Sequence, residues 1–190
     1  MDHYHHTIQG WFTFPSFYKS AVDQAKDGYH FVEVGSWKGK SAAYIGVEIF
    51  NSKKQIKFDC IDTWEGSEEN IDKNSSCYEP LLESKDDLYN HFLSNIAPLS
   101  GIVNPIRKPS IEAAPLYQNE SLNLVFIDAA HDYENVCLDI KAWLPKVKPG
   151  GILAGHDFHH QPVQKAVSDI LGNNFQHTNE NIWIYKIKKI

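Results

Sequence analysis

A chain of 190 residues, 42% apolar and 22% charged, has the composition of an ordinary globular protein and suffices for one sizeable core. Its formal net charge of −6 offers no global field for nucleic acid or an anionic membrane, and no apolar run approaches the ~20 residues of a bilayer span. The three cysteines, Cys60, Cys77 and Cys137, fit neither a disulfide framework nor a zinc-ligand spacing, and with no export signal in "MDHYHHTIQGWF" they imply a reducing, cytoplasmic setting.

Along the chain, apolar β-branched stretches alternate with longer segments of helical spacing. Residues 1–28 come first, as a cover segment in which the aromatic run "GWFTFPSFY" feeds a helix begun by Pro15. Strands are then expected over 29–34, 56–61, 102–106, 122–127, 150–155 and 181–187. Helices are expected over 39–50, 86–96, 133–144 and 162–171, where apolar residues recur on one face. The alternation predicts a single α/β domain over 1–190 with a mainly parallel sheet covered on both faces. "KPGG", Lys148 to Gly151, reads as a helix end and a turn into the next strand, and "KIKK" at 186–189 as the solvated face of an edge strand. The acidic stretch 63–84 breaks the alternation as a long loop, with Glu65, Glu68, Glu69 and Asp72 on a solvated face. Cys60 and Cys137 lie in apolar patterns and read as small core residues.

In open α/β sheets ligands bind beyond the carboxyl ends of the strands, and four such ends carry chemistry here. In "EVGSWKG", Gly35 permits a tight turn, Gly39 lets a helix start close to the strand, and free N–H groups there suit a carboxylate. Asp62, in "CIDTW", follows about 20 residues after Gly39, the spacing at which nucleotide folds place a ribose-binding acid; a turn or cap role is the alternative. Asp128 in "VFIDAAHDYENV" and Asp157 in "ILAGHDFHH" close the next two strands, amid His131, Asp132, His156, His159 and His160. Carboxylates and imidazoles gathered in this way can bind a divalent metal or move a proton, whereas Asp128 or Asp132 alone could simply cap a helix.

The runs "FVEVGSWKGKSAAYIG", "FDCIDTWEG", "PIRKPSIEAAP", "LVFIDAAHDYENVCLDIKAWLPKVKPGGILAGHDF" and "VQKAVSDIL" resemble class I S-adenosylmethionine-dependent methyltransferases over about residues 8–187. They are most similar to the small-molecule O-methyltransferases, the macrocin and catechol relatives among them. The resemblance implies a three-layer Rossmann-like fold with a seven-stranded mixed sheet in the order 3-2-1-4-5-7-6. The last strand would be antiparallel, "FQHTNENIWIYKI" supplying the terminal pair. It also implies that Gly35, Ser36, Trp37 and Gly39 lie along the cofactor and that Ser41 meets the methionine carboxylate. Asp62 would hold the ribose hydroxyls, Ser110 would sit near the adenine with Trp64 as a stacking neighbour, and Glu33 would be structural or near the cofactor amino group.

Metal-dependent relatives bind magnesium through an aspartate after strand four and a pair of residues after strand five. Asp128 and Asp157 match two of those positions and His156 the third, so a magnesium ion, a softer metal or none are each open. His131 falls where catechol O-methyltransferases carry their general base, and Asp128 would stand beside it at the reacting centre. The function implied is methyl transfer from S-adenosylmethionine to a hydroxyl oxygen of a small, sugar-like or phenolic acceptor. Nucleic acid and membrane are not expected as partners, and homo-oligomerisation is open. Acceptor choice would fall to Trp11, Phe12, Phe14 and Tyr18 and to the acidic loop, although such aromatics more often simply pack against the sheet. A dinucleotide-dependent oxidoreductase shares the fold logic but wants a third glycine where Ala42 and Ala43 stand. A non-catalytic ligand-binding module of the same fold is the other alternative.

Overall fold

Pro15 opens the first helix at a position where its missing N–H costs nothing, and α1 runs Pro15–Gln24. From there strand and helix alternate: β1 His30–Val34, α2 Lys40–Ser52, β2 Lys57–Asp62, the short α3 Glu68–Ile71, α4 Asp87–Ile96, β3 Val103–Arg107 and α5 Ser110–Ala113. The second half comprises β4 Leu122–Ile127, α6 Tyr133–Trp143, β5 Val147–Gly155, α7 Gln161–Leu171, β6 Gln176–His177 and β7 Trp183–Lys186. The computed structural model describes residues 1–75, 77–84 and 86–189; the side chains of Glu68 and Glu69, expected on the acidic face, lie outside the described atoms. Among the described residues no helix is long and apolar enough to cross a membrane.

The strands form one seven-stranded sheet in the order β3-β2-β1-β4-β5-β7-β6, the order the resemblance implies. β1 to β5 pair in parallel, and β7 runs antiparallel to both β5 and β6. Side-chain alternation places the two faces. Phe31, Leu124 and Phe126 enter one apolar layer with α1, α2 and α4, while Val32, Val34, Val125 and Ile127 enter the other with α6 and α7. A strand buried on both sides reads as an unbroken apolar run, which is why these segments were legible. Each fully buried Phe, Ile or Leu contributes on the order of 1.5–3 kcal/mol.

Two expectations need correction. "KPGG" is not a turn ahead of β5: α6 ends at Trp143, a short 3-10 turn covers Leu144–Lys146, and Lys148 to Gly151 lie inside β5. The pairing with β4 shifts register between Leu122 and Leu124, and Gly150 takes φ +81°, so the strand absorbs Pro149 at an irregularity. "KIKK" does not edge the sheet either: Lys186 ends β7, which lies between β5 and the two-residue edge strand β6.

Candidate active site

The carboxyl ends of β1, β2, β4 and β5 converge, and the loop from β1 to α2 is bound tightly to its neighbours. Gly35 takes φ +87°, and a Cβ there would stand 2.1 Å from the Asp128 carbonyl oxygen, so only glycine lets the loop pass the end of β4. The register is held by Gly35 N–H donating to Ile61 O at 2.8 Å and Asp128 N–H donating to Val34 O at 2.7 Å. Gly39, at φ +86°, is the N-cap of α2, and Trp37 holds the left-handed region without being glycine.

Asp62 ties this loop to β2. Its Oδ2 accepts from the N–H groups of Ser36 and Trp37 at 2.8 and 2.9 Å, and its Oδ1 from Trp64 N–H at 2.8 Å. Two of the loop N–H groups, those of Ser36 and Trp37, are therefore engaged by the acid expected to hold the ribose. Trp64 also departs from expectation. Its ring is 2% exposed, packed on Tyr89 and Phe92, and its Nε1–H donates to Trp37 O at 2.8 Å, so it supports the loop from within and presents no face for an adenine. Ser110 begins α5, but its Oγ accepts from Trp143 Nε1–H at 2.8 Å, engaging it with α6.

Glu33 and Ser41 lie beneath the loop, both buried. Burial pushes the Glu33 carboxyl up to about 7, against the pull of hydroxyl donors led by Tyr18, whose OH donates to Oε2 at 2.5 Å. Tyr18 belongs to α1, so the N-terminal segment is fastened to the end of β1. Phe14 and Tyr18 are fully buried against Phe126 and are core residues, the packing expected of such aromatics rather than a part in acceptor choice; Trp11, 65% exposed, remains accessible.

Past β4 and β5 the side chains form a compact acid–imidazole cluster around a small cleft. His156 Nδ1 stands 3.4 Å from Asp128 Oδ1 and 3.3 Å from Asp157 Oδ1, and its Nε2 meets Thr13 Oγ1 at 2.9 Å. Burial opposes charge on His156, yet the two carboxylates prevail and raise it to about 10. Burial pushes the Asp128 carboxyl up; it would do the same to Asp157, where bonds from His131 and His156 instead hold the group well below the usual range. His131 Nε2 lies 2.8 Å from Asp157 Oδ2, with its ring 41% exposed. Asp132 stands apart: its Oδ1 accepts from Asn135 N–H at 3.0 Å and caps α6.

The three residues matched to a metal site are thus together, with one ligand atom from each within 4.8 Å of the others. They do not fit magnesium, which demands oxygen donors, because both ring nitrogens of His156 are already engaged by Asp128, Asp157 and Thr13. Two contributors were missed. Thr13 reaches the cluster from the N-terminal segment, and Lys38 Nζ pairs with Glu79 Oε2 at 2.5 Å, closing the 63–84 segment onto the glycine loop. Neither contact has a signal in sequence spacing.

A family model described as a methyltransferase domain matches residues 32–158, more than half of the chain. Among curated proteins, an uncharacterized protein y4gI of Sinorhizobium fredii is 25% identical over 97 residues; the match covers 51% of this chain and only 10% of that protein. Among solved structures, the O-methyltransferase NovP superposes with TM-score 0.66 at 15% identity, covering 93% of this chain and 80% of its own. A SAM-dependent O-methyltransferase from Thermotoga maritima gives 0.63 at 13%, covering 96% and 67%. The Methanococcus jannaschii fibrillarin pre-rRNA processing protein gives 0.53 at 12%, covering 86% and 68%. Such distant likenesses share the fold across different named roles, and the family match supplies the rest: the chain belongs to the methyltransferase-domain family, as a class I S-adenosylmethionine-dependent domain.

Proposed function

We propose that the protein transfers the methyl group of S-adenosylmethionine to a hydroxyl oxygen of a small, sugar-like or phenolic acceptor, with His131 as general base. The observation that carries this reading is the pair at the end of the sheet. Asp157 accepts at 2.8 Å from His131, whose ring is 41% exposed beside the cleft. An imidazole held by a carboxylate suits removal of a hydroxyl proton as the oxygen attacks the sulfonium methyl. Gly35, Ser36, Trp37, Gly39 and Ser41 would run along the cofactor, with Asp128 beside the reacting centre. Asp62 would meet the ribose hydroxyls by exchanging some of its loop contacts. A small-molecule acceptor in a cytoplasmic setting, rather than nucleic acid, accords with the net charge of −6.

Labelled S-adenosylmethionine offered with panels of sugars and catechols tests the reading. His131→Ala should lower turnover roughly 100- to 10,000-fold while S-adenosylhomocysteine binds as before. Full turnover in that variant removes His131 from the role of base.

A further inference from the structure

Four imidazoles surround one carboxylate at the end of β5. His131 Nε2 lies 2.8 Å from Asp157 Oδ2, while His156 Nδ1, His159 Nδ1 and His160 Nε2 stand 3.3, 3.8 and 4.0 Å from Oδ1. His156 is committed, since its Nδ1 faces Asp128 as well as Asp157 and its Nε2 meets Thr13. His159 and His160 are about half exposed, their ring centroids 4.1 Å apart, and His160 stacks on His131 at 5.4 Å. Asp157 is fixed by comparison, at φ +57° and bonded to His131.

The geometry points to a site for a zinc-class divalent ion formed by Asp157, His159 and His160, sharing only Asp157 with the Asp128–His156 group. Each of the three offers a ligand atom within 4.8 Å of the others. Tetrahedral ligands about 2.0–2.1 Å from zinc stand roughly 3.4 Å apart, and the His159 and His160 nitrogens already lie 3.8 and 4.0 Å from Asp157 Oδ1, so shifts of well under 1 Å bring them to that spacing. Two imidazoles and one carboxylate suit Zn²⁺, Co²⁺ or Ni²⁺ and are a poor match for magnesium or calcium. The Asp157 charge offsets the positive end of α7, which begins at Gln161. Three protein ligands leave a fourth position for water or a ligand oxygen beside His131. The site does not depend on the identity of the acceptor, since ion binding is read without turnover.

Metal-stripped full-length protein titrated with Co²⁺, followed by visible absorption and by metal analysis after gel filtration, tests the site. One ion per chain with the strong bands of low-coordinate Co²⁺ is expected, displaced by Zn²⁺ and not by excess Mg²⁺. His159→Ala/His160→Ala should weaken binding on the order of 100-fold, with an unchanged melt of the metal-free protein. Asp157→Asn, which keeps a residue tolerant of positive φ, should weaken it as well. His5→Ala/His6→Ala should leave affinity unaltered. No binding by the wild type, wild-type affinity in the His159/His160 variant, or loss confined to the His5/His6 variant each overturns the assignment.

Discussion

Glu33 shows how one residue can couple pH to stability. Its side chain lies at the end of β1 under the glycine loop, 1% exposed, and burial raises its carboxyl to about 7 from an ordinary 4.5. Between those values the folded chain holds a proton that the unfolded chain has released. The stabilisation is therefore complete below about pH 4.5 and is lost as pH rises through 7, amounting to about 3 kcal/mol. Glu33→Gln keeps a neutral partner for the Tyr18 hydroxyl at all pH values. Urea midpoints taken from pH 5 to pH 8 should fall for the wild type and stay flatter for the variant by that amount. Parallel profiles would mean that Glu33 is ionised throughout. The same residue marks the limit of sequence reading: "FVEV" announced an acid at a strand end, but not the Tyr18 bond that joins it to the N-terminal helix.

Among the elements, the 63–84 segment looked like an acidic surface loop and is instead clamped to the glycine turn. Trp64 donates to Trp37 O from one side, and the Lys38–Glu79 pair, both residues 7% exposed, closes the other. Removing one partner from a buried pair strands a charge, so Glu79→Ala should cost ~3–5 kcal/mol in urea unfolding and loosen the glycine turn. Lys38→Met/Glu79→Leu should recover most of that loss, because packing replaces the pair. Equal cost in the single and the double variant would instead assign the effect to the loop backbone. Strands and helices were legible because burial on one or two faces imposes a period on composition. These tethers were not, because a hydrogen bond between positions 64 and 37, or 62 and 36, leaves no period. The "KPGG" misreading has a related cause: glycine and proline signal a turn locally, and only the partner strand β4 reveals that they sit in a strand irregularity.

Across the molecule, two apolar layers share one sheet, and that arrangement makes a claim about cooperativity. Ile45 on α2 belongs to the layer with Phe31 and Phe126, and Ile140 on α6 to the layer with Val32 and Val125; both are fully buried. Because adjacent residues of β1 and β4 feed opposite layers, neither layer can lose its packing while the strands stay paired. Ile45→Val and Ile140→Val should each cost ~0.5–1.5 kcal/mol by removing one methylene from a close-packed site. The two side chains touch different neighbours, so the double variant should lose the sum to within ~0.5 kcal/mol. Tryptophan fluorescence and far-ultraviolet circular dichroism should report one coincident transition for all four proteins. Trp64 lies in the first layer, and Trp143 and Trp183 in the second, so fluorescence samples both sides of the sheet. A fluorescence step that separates from the dichroism curve in either single variant would show that one layer melts alone. The site would then rest on a sheet held from one side only, and its four converging strand ends would lose the rigidity that the proton transfer proposed for His131 requires.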